Sequence, residues 1–263
     1  REKNPQLLSS SYIPSYTAGL TFFIAVAATN LFHQGNWQRV YAAKNFETLK
    51  KSLIISFFII TPIVFYMGFT GMVAFSINPS IRPDLGFFSL LLKNQNELLS
   101  LLVIIFGLAL TISTVDTLIN AISSLIVIDG KAVFSIKKKT NYLKISNYVI
   151  IFLCMISFIV ASKGYDILYL FLLADLFCCA FVLTVFYSFF NKGIDEKTAY
   201  VSIIIGLIGG FLMFPSPDFS KSLLVGIIFP KEFFASFVSQ SLLFLSFIIA
   251  TFLPFLILKA RKL

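Results

Sequence analysis

The chain has 263 residues, of which 58% are hydrophobic and 13% are charged, and its mean hydropathy is +0.91. A soluble domain typically carries about 25% charged residues, so this composition excludes a soluble globule and also an intrinsically disordered chain. The excess apolar surface needs lipid as its solvent, and we interpret the net charge of +9 as membrane topology rather than as nucleic-acid binding.

Residues that hold transition metals or carry out nucleophilic catalysis are sparse in this sequence. Cys154, Cys178 and Cys179 lie inside apolar runs without metal-type spacing, and the single His33 has no neighbouring ligand cluster. No paired His/Asp or Ser/His arrangement suggests an activated nucleophile. We therefore expect no enzyme activity, no resident cofactor, and cysteines that serve packing.

Seven stretches are long and apolar enough to cross a bilayer as helices, which takes about 20 residues each. The sequence therefore predicts an all-α polytopic membrane protein that forms a single transmembrane domain over 1–263. The chain begins at Arg1 without a Met, so we expect a fragment of a longer protein. The predicted spans are approximately 12–38, 51–77, 98–128, 144–162, 166–190, 199–215 and 236–258.

The loops between these spans alternate between the two sides of the membrane. One side, which includes the C-terminal Lys259, Arg261 and Lys262, holds twice as many Lys and Arg residues as the other. Because cytoplasmic loops are the more basic ones, the C-terminus is predicted to be cytoplasmic and the N-terminal end external. We expect an integral protein of a prokaryotic inner membrane.

A polar segment, TNLFHQGNWQRVYAAKN at 29–45, covers the end of the first predicted span. His33 and Gln34 are candidate residues of a solute pathway, because exposed polar groups at membrane depth are tolerated where they line a cavity. The aromatic and basic residues that follow fit an interfacial anchor instead. They are Trp37, Arg39 and Tyr41.

The third span, which contains LTISTVDTLINAISSLIVID, has a polar stripe along one side. Asp116 near its middle would cost several kcal/mol against lipid, so we expect it to face protein, water, a cation or a proton. Hydroxyls one turn from a carboxylate suit Na⁺, which prefers several oxygen ligands. The stripe follows the i, i+3, i+4, i+7, i+11 spacing of one helical face and comprises Ser113, Asp116, Thr117, Asn120 and Ser124.

Small hydroxyl residues also pack membrane helices together and hydrogen-bond between them. We prefer that interpretation for Ser123 and Ser124, and ion or proton coupling for Asp116. Asn120 is a further candidate for the pathway.

Asp175 is a second carboxylate near the middle of a span, within YLFLLADLFCCAF in the fifth one. The same energetic cost of exposure to lipid applies to it. It could contact solute, carry a proton or pair with another polar residue, and the sequence does not separate these roles.

Two motifs resemble the sodium:solute symporter family, whose members have the LeuT-type inverted-repeat fold. HQGNWQRVYAAKN at 33–45 is similar to the segment after the family's second broken helix, and STVDTLINAISSLIVID at 113–129 is similar to its signature hydroxyl-rich helix. The resemblance extends over nearly the whole chain as span order. It implies that 12–190 is the second inverted repeat and 199–258 the peripheral helices, with the first repeat outside this chain.

The resemblance also implies the coupling ion. The Leu110 carbonyl, Ser113 and Thr114 would form the local half of the main sodium site, completed by the N-terminal half of the same transporter. Asp116 and Thr117 match the second sodium site of some members, with Asp116 where a hydroxyl is common. The expected function is Na⁺-coupled symport of a small polar organic solute.

The solute class follows from a weaker similarity. The WQR pattern resembles urea-type and several uncharacterised members, and the aromatic gating residues of the sugar-type members do not align at Val26 to Thr29. An alternative function, from another class, is a membrane sensor or channel-like protein that binds an ion or solute without coupled transport.

Overall fold

The computed structural model describes residues 11–78, 80–81, 85–92, 97–130, 142–191, 193–217, 219, 222, 224 and 239–260. The fold is all-α and polytopic, as predicted. The helices are α1 (Ile13–Phe32), α2 (Gln34–Ala42), α3 (Phe46–Ile77), α4 (Gly86–Leu91), α5 (Glu97–Ser124, continued by a π-helical turn at Leu125–Asp129), α6 (Tyr142–Ser162), α7 (Ile167–Phe190), α8 (Glu196–Met213) and α9 (Ser239–Ala260).

Among the described residues, seven helices are long and apolar enough to cross a membrane: α1, α3, α5 with its π-helical turn, and α6 to α9. Large apolar side chains stand exposed along α3, α5 and α6, whereas α7 and α9 are much more buried. A spanning helix satisfies its backbone hydrogen bonds internally, so it can expose apolar side chains to lipid. The chain is an integral membrane protein by this criterion.

The first span differs from the predicted 12–38. The helix ends at Phe32, His33 adopts an extended conformation with ψ 105°, and a separate helix begins at Gln34. The continuous span was therefore wrong at its C-terminal end, where polar residues and Gly35 replace the apolar run. The other spans end within a few residues of their predicted limits, and residues 236–238 of the last one lie outside the described part.

Three helix starts are fixed by short polar side chains just before the first turn. The side chain of Asn45 accepts a hydrogen bond from the Thr48 amide at 2.8 Å, and that of Asp166 accepts one from the Leu168 amide at 2.7 Å. Asp195 accepts one from Thr198 in the same way. Each cap satisfies a backbone donor that the helix itself leaves open.

The chain divides into two compact units, of which the first comprises Arg1–His33 and Gly164–Leu263. Its core is built on α7, which packs against α1, α8 and α9. The aromatic ring of Phe214, just after α8, lies fully buried between the rings of Tyr169 and Phe247. Small residues of α1, among them Ala25 and Ala28, let that helix approach the core closely.

The second unit comprises Gln34–Lys163 and contains α2 to α6. Two of its helix contacts are made by small residues. A Cβ on Gly86 of α4 would lie 3.3 Å from the Gly71 Cα atom of α3, and the Ser123 and Ser146 hydroxyls hydrogen-bond at 2.8 Å between α5 and α6. The polar stripe of α5 lies on an otherwise apolar helix whose side chains are largely exposed.

Candidate functional site

Asp175 lies in the core of the first unit, where its side chain is only 7% exposed. It is about 12 Å along the helix axis from the start of α7, well inside the span. The hydroxyl of Thr29, on α1, donates a hydrogen bond to Asp175 Oδ1. This contact joins the first and the fifth span.

Two cysteines on α7 adjoin this carboxyl group. The Cys178 thiol is within hydrogen-bonding reach of the Thr29 hydroxyl, and the Cys179 thiol is close to that of Thr251 on α9. The Cys179 sulfur also contacts the Ile24 carbonyl oxygen of α1 at 3.9 Å. The thiols therefore lie where three helices meet, and sequence reasoning, which assigned them to packing alone, missed their position beside Asp175.

No basic side chain of the described helices packed against α7 lies near the middle of a span. Lys197 is in the first turn of α8 and Lys259 in the last turn of α9, whereas α1 has no cationic residue. The neighbours of Asp175 along its own helix are the buried Leu172 and Leu176. Among the described residues, the carboxyl group thus accepts one hydrogen bond, from the neutral Thr29 hydroxyl, in largely apolar surroundings.

The five predicted sodium ligands form a contiguous stretch of α5. The Thr114 hydroxyl donates to the Leu110 carbonyl oxygen at 2.9 Å, and the Thr117 hydroxyl donates to the Ser113 carbonyl oxygen at 2.9 Å. A carbonyl oxygen has a second lone pair, so the Leu110 carbonyl could still accept a further ligand. The helix thereby brings oxygen atoms of these residues to adjacent turns.

The carboxylate of Asp116 is exposed on the same helix, as are the side chains of Ser113, Thr114 and Asn120, while Thr117 is half-buried. The described part of the second unit brings no charged side chain to Asp116. Groups of three or more His, Cys, Asp or Glu that could hold a metal are likewise absent from the residues the structure describes. The stripe therefore offers oxygen ligands from one side only.

At the C-terminal end of the stripe, Ser123 and Ser124 join α5 to neighbouring helices, which is the packing role predicted for them. Ser124 accepts a hydrogen bond from Gln38 Nε2 of α2 at 2.8 Å and donates to the Ala121 carbonyl oxygen at 2.8 Å. Ser123 bonds Ser146 of α6. Gln38 was not singled out from the sequence as a partner, because its contact joins residues 86 positions apart.

The two remaining pathway candidates flank the helix break. His33 ends α1, and its Nδ1 atom is buried without a hydrogen-bond partner among the described residues. Gln34 begins α2 and is half-buried. His33 and Asp175 belong to the first unit, whereas Gln34 and Asn120 belong to the second.

Comparisons with known proteins give one weak similarity. No family model matches the chain, and no solved structure matches it. The spermidine transporter DUR31 of Candida albicans is 27% identical to it over 194 residues, which are 70% of this chain and 36% of that protein. The chain thus spans about a third of the length of the curated relative it matches.

Proposed function

We propose that the chain is part of a secondary active transporter that couples inward Na⁺ movement to uptake of a small polar organic solute. The observation that carries this proposal is the exposed carboxylate of Asp116 with its hydroxyl neighbours on a spanning helix. A carboxylate at membrane depth needs a cation, a proton or water, because lipid tails provide neither hydrogen bonds nor a compensating charge. A non-enzymatic role agrees with the similarity to a transporter.

The ligand chemistry supports Na⁺ as the coupling ion. Ser113 and Thr114 hydroxyls, the Leu110 carbonyl and the Asp116–Thr117 pair supply hard oxygen atoms with a single negative charge. A monovalent hard cation fits such a set better than a transition metal, which would prefer imidazole or thiolate. The other half of the site would come from the N-terminal half of the same transporter, as the resemblance to sodium:solute symporters implies.

The membrane potential and the Na⁺ gradient would supply the energy for the proposed coupling. Inward movement of one positive charge through about −100 mV contributes roughly 2.3 kcal/mol before any concentration term. A bound Na⁺ would bias the exchange between outward-open and inward-open states, so that the solute is released on the side of low Na⁺. The basic loop distribution orients the chain with its C-terminus in the cytoplasm.

The solute pathway is proposed to include His33, Gln34, Asn120 and Asp175. The name of the related fungal protein makes a polyamine one member of the solute class to test. An organic amine and a neutral amide are both small and polar, so a solute panel has to contain both kinds.

The experiment is uptake of a labelled solute panel, with spermidine and urea included, into proteoliposomes that contain the full-length protein. We expect accumulation of at least one solute only when the external Na⁺ concentration exceeds the internal one. A matched gradient of choline at equal membrane potential controls for electrical driving force. Equal flux with and without the Na⁺ gradient would refute coupled transport and favour the channel-like alternative, and binding without flux would favour a sensor.

A further inference from the structure

The hydrogen bond between Thr29 and Asp175 joins α1 to α7 inside the first unit. A carboxylate with a single neutral donor and almost no contact with solvent loses most of its hydration without compensation. Such a group is stable in this conformation if it carries a proton. The burial and the single described hydrogen bond of Asp175 therefore favour proton binding among the roles that the sequence left open for it.

We propose that Asp175 is a proton-binding site of the transport cycle. In the conformation described here it holds a proton. When α1 moves away from α7, Thr29 separates from the carboxyl group, water reaches it, its O–H bond breaks, and the proton passes to that water and leaves a carboxylate. The inference rests on the proposed transport function and adds a second ion to it.

The described side chains around Asp175 offer its carboxyl group no positively charged partner. The thiols of Cys178 and Cys179 are the titratable groups beside its carboxyl, and neither can carry a positive charge. The other titratable groups of the described helices concerned are Tyr16 of α1, Tyr169 and Tyr187 of α7, Glu196, Lys197 and Tyr200 of α8, and Lys259 of α9. Close packing of Ala25 and Ala28 in the same core favours a proton, which needs no cavity, over an organic cation.

The helix break after Phe32 gives α1 a means of moving. Thr29 is within one turn of the end of α1, and the extended backbone of His33 interrupts the helix there. An interrupted helix can tilt without bending the segment that follows, because the break absorbs the change in backbone direction. Such a tilt would break the Thr29–Asp175 hydrogen bond together with the ring contacts of Phe32 with Phe181 and Phe186, and it would expose the carboxyl group.

The test is infrared difference spectroscopy of the full-length protein in lipid nanodiscs, between mildly acid and mildly alkaline pH. We expect a carbonyl-stretching band of a protonated carboxyl group that disappears in Asp175→Asn and persists in Asp116→Asn. Isotope labelling of aspartate in the wild-type protein identifies the band as an Asp band without any substitution. Absence of a labelled protonated band at every pH, or its persistence in Asp175→Asn, would overturn the proposal.

The Thr29 contact gives a second readout that does not depend on the Asn variant. Thr29→Val removes the donor and should shift the band to higher frequency, whereas Thr29→Ser should leave it in place. Thr21→Val is the matched control, because the Thr21 hydroxyl is also buried on α1 but donates to the Thr17 carbonyl oxygen of its own helix. An equal shift in Thr21→Val would contradict a specific contact with Asp175.

Transport then separates this inference from the proposed function. If solute uptake requires Na⁺, we expect its rate to change several-fold with external pH in the wild type and to lose that pH dependence in Asp175→Asn. Na⁺-coupled uptake with the same pH dependence in both proteins would refute the proton site alone. If Na⁺ has no effect but the band is present and sensitive to Thr29→Val, the proton site stands and Na⁺ coupling fails.

Discussion

Gly206 of α8 lies directly against Pro254 of α9, so closely that a Cβ built on the glycine would be 2.2 Å from the proline Cγ atom. The same Cβ would be 3.2 Å from the Ala250 carbonyl oxygen, which Pro254 leaves without its usual helical donor because proline has no N–H. One turn further on, the Ser246 hydroxyl donates to the Gly210 carbonyl oxygen at 2.8 Å. Gly206 and Gly210 thus form a small-residue face, four residues apart, that lets the two helices meet backbone to backbone.

Gly206→Ala should destabilise the first unit. The added methyl group has to displace the rigid proline ring or the backbone of α9, and overpacking of this kind costs about 1–3 kcal/mol. The measurement is the thermal midpoint of the purified protein in detergent, followed by size-exclusion chromatography after heating. Gly19→Ala on α1 is the control, because nothing lies within 4 Å of its Cβ position. Equal midpoints for the two variants would contradict this close packing.

The sequence predicted the helices well because each span is a long apolar run, and bilayer thickness sets its length. It missed the break at His33, because it took the polar residues after Phe32 as the end of the same helix. It singled out Asp175 from the cost of exposing a carboxylate to lipid, but it could not find Thr29 as its partner. The pairing of two residues 146 positions apart depends on how α1 and α7 pack, which periodicity within one helix does not contain.

Ser113→Ala and Thr114→Ala should each raise the Na⁺ concentration that gives half-maximal uptake. A hydrogen bond or ligand contact to a charged group contributes about 1.5–3 kcal/mol, so the expected increase is about tenfold or more. The measurement is initial uptake rate against external Na⁺ in proteoliposomes of the full-length protein.

Thr111→Ala is the matched control for Thr114→Ala. The Thr111 hydroxyl donates to the Gly107 carbonyl oxygen at 2.9 Å, just as the Thr114 hydroxyl donates to that of Leu110, but Thr111 lies one turn before Thr114 and is not among the predicted sodium ligands. It should leave the Na⁺ dependence unchanged. If Ser113→Ala and Thr114→Ala behave like Thr111→Ala, the sodium site does not lie on this stripe.

The predicted orientation can be tested at two exposed lysines. Lys44 precedes α3 on the predicted cytoplasmic side, and Lys163 follows α6 on the predicted external side. A membrane-impermeant maleimide should label Lys163→Cys in intact cells and Lys44→Cys only after permeabilisation. The unsubstituted protein is the control for reaction at the native cysteines, all of which lie within apolar helices. Labelling of Lys44→Cys in intact cells would contradict the predicted orientation and indicate the opposite one.

Ser124 provides a test of where the functional stripe of α5 ends. It follows the same helical spacing as Ser113, yet its hydroxyl accepts the 2.8 Å hydrogen bond from Gln38 of α2. Ser124→Ala and Gln38→Ala should each lower the free energy of unfolding, and the double variant should be less destabilised than the sum of the two by about 0.5–1.5 kcal/mol, because the second change removes a bond already lost.

Ser124→Ala should also leave the Na⁺ concentration for half-maximal uptake at the wild-type value, in contrast to Ser113→Ala. Additive effects of Ser124→Ala and Gln38→Ala on stability would mean that the contact between α2 and α5 contributes nothing measurable. A tenfold rise in the Na⁺ requirement of Ser124→Ala would extend the ion site about two turns beyond Thr117 along α5. The packing role is then distinguished from ligation by two independent quantities, because hydrogen bonding between helices acts on unfolding and ligand contacts act on Na⁺ binding.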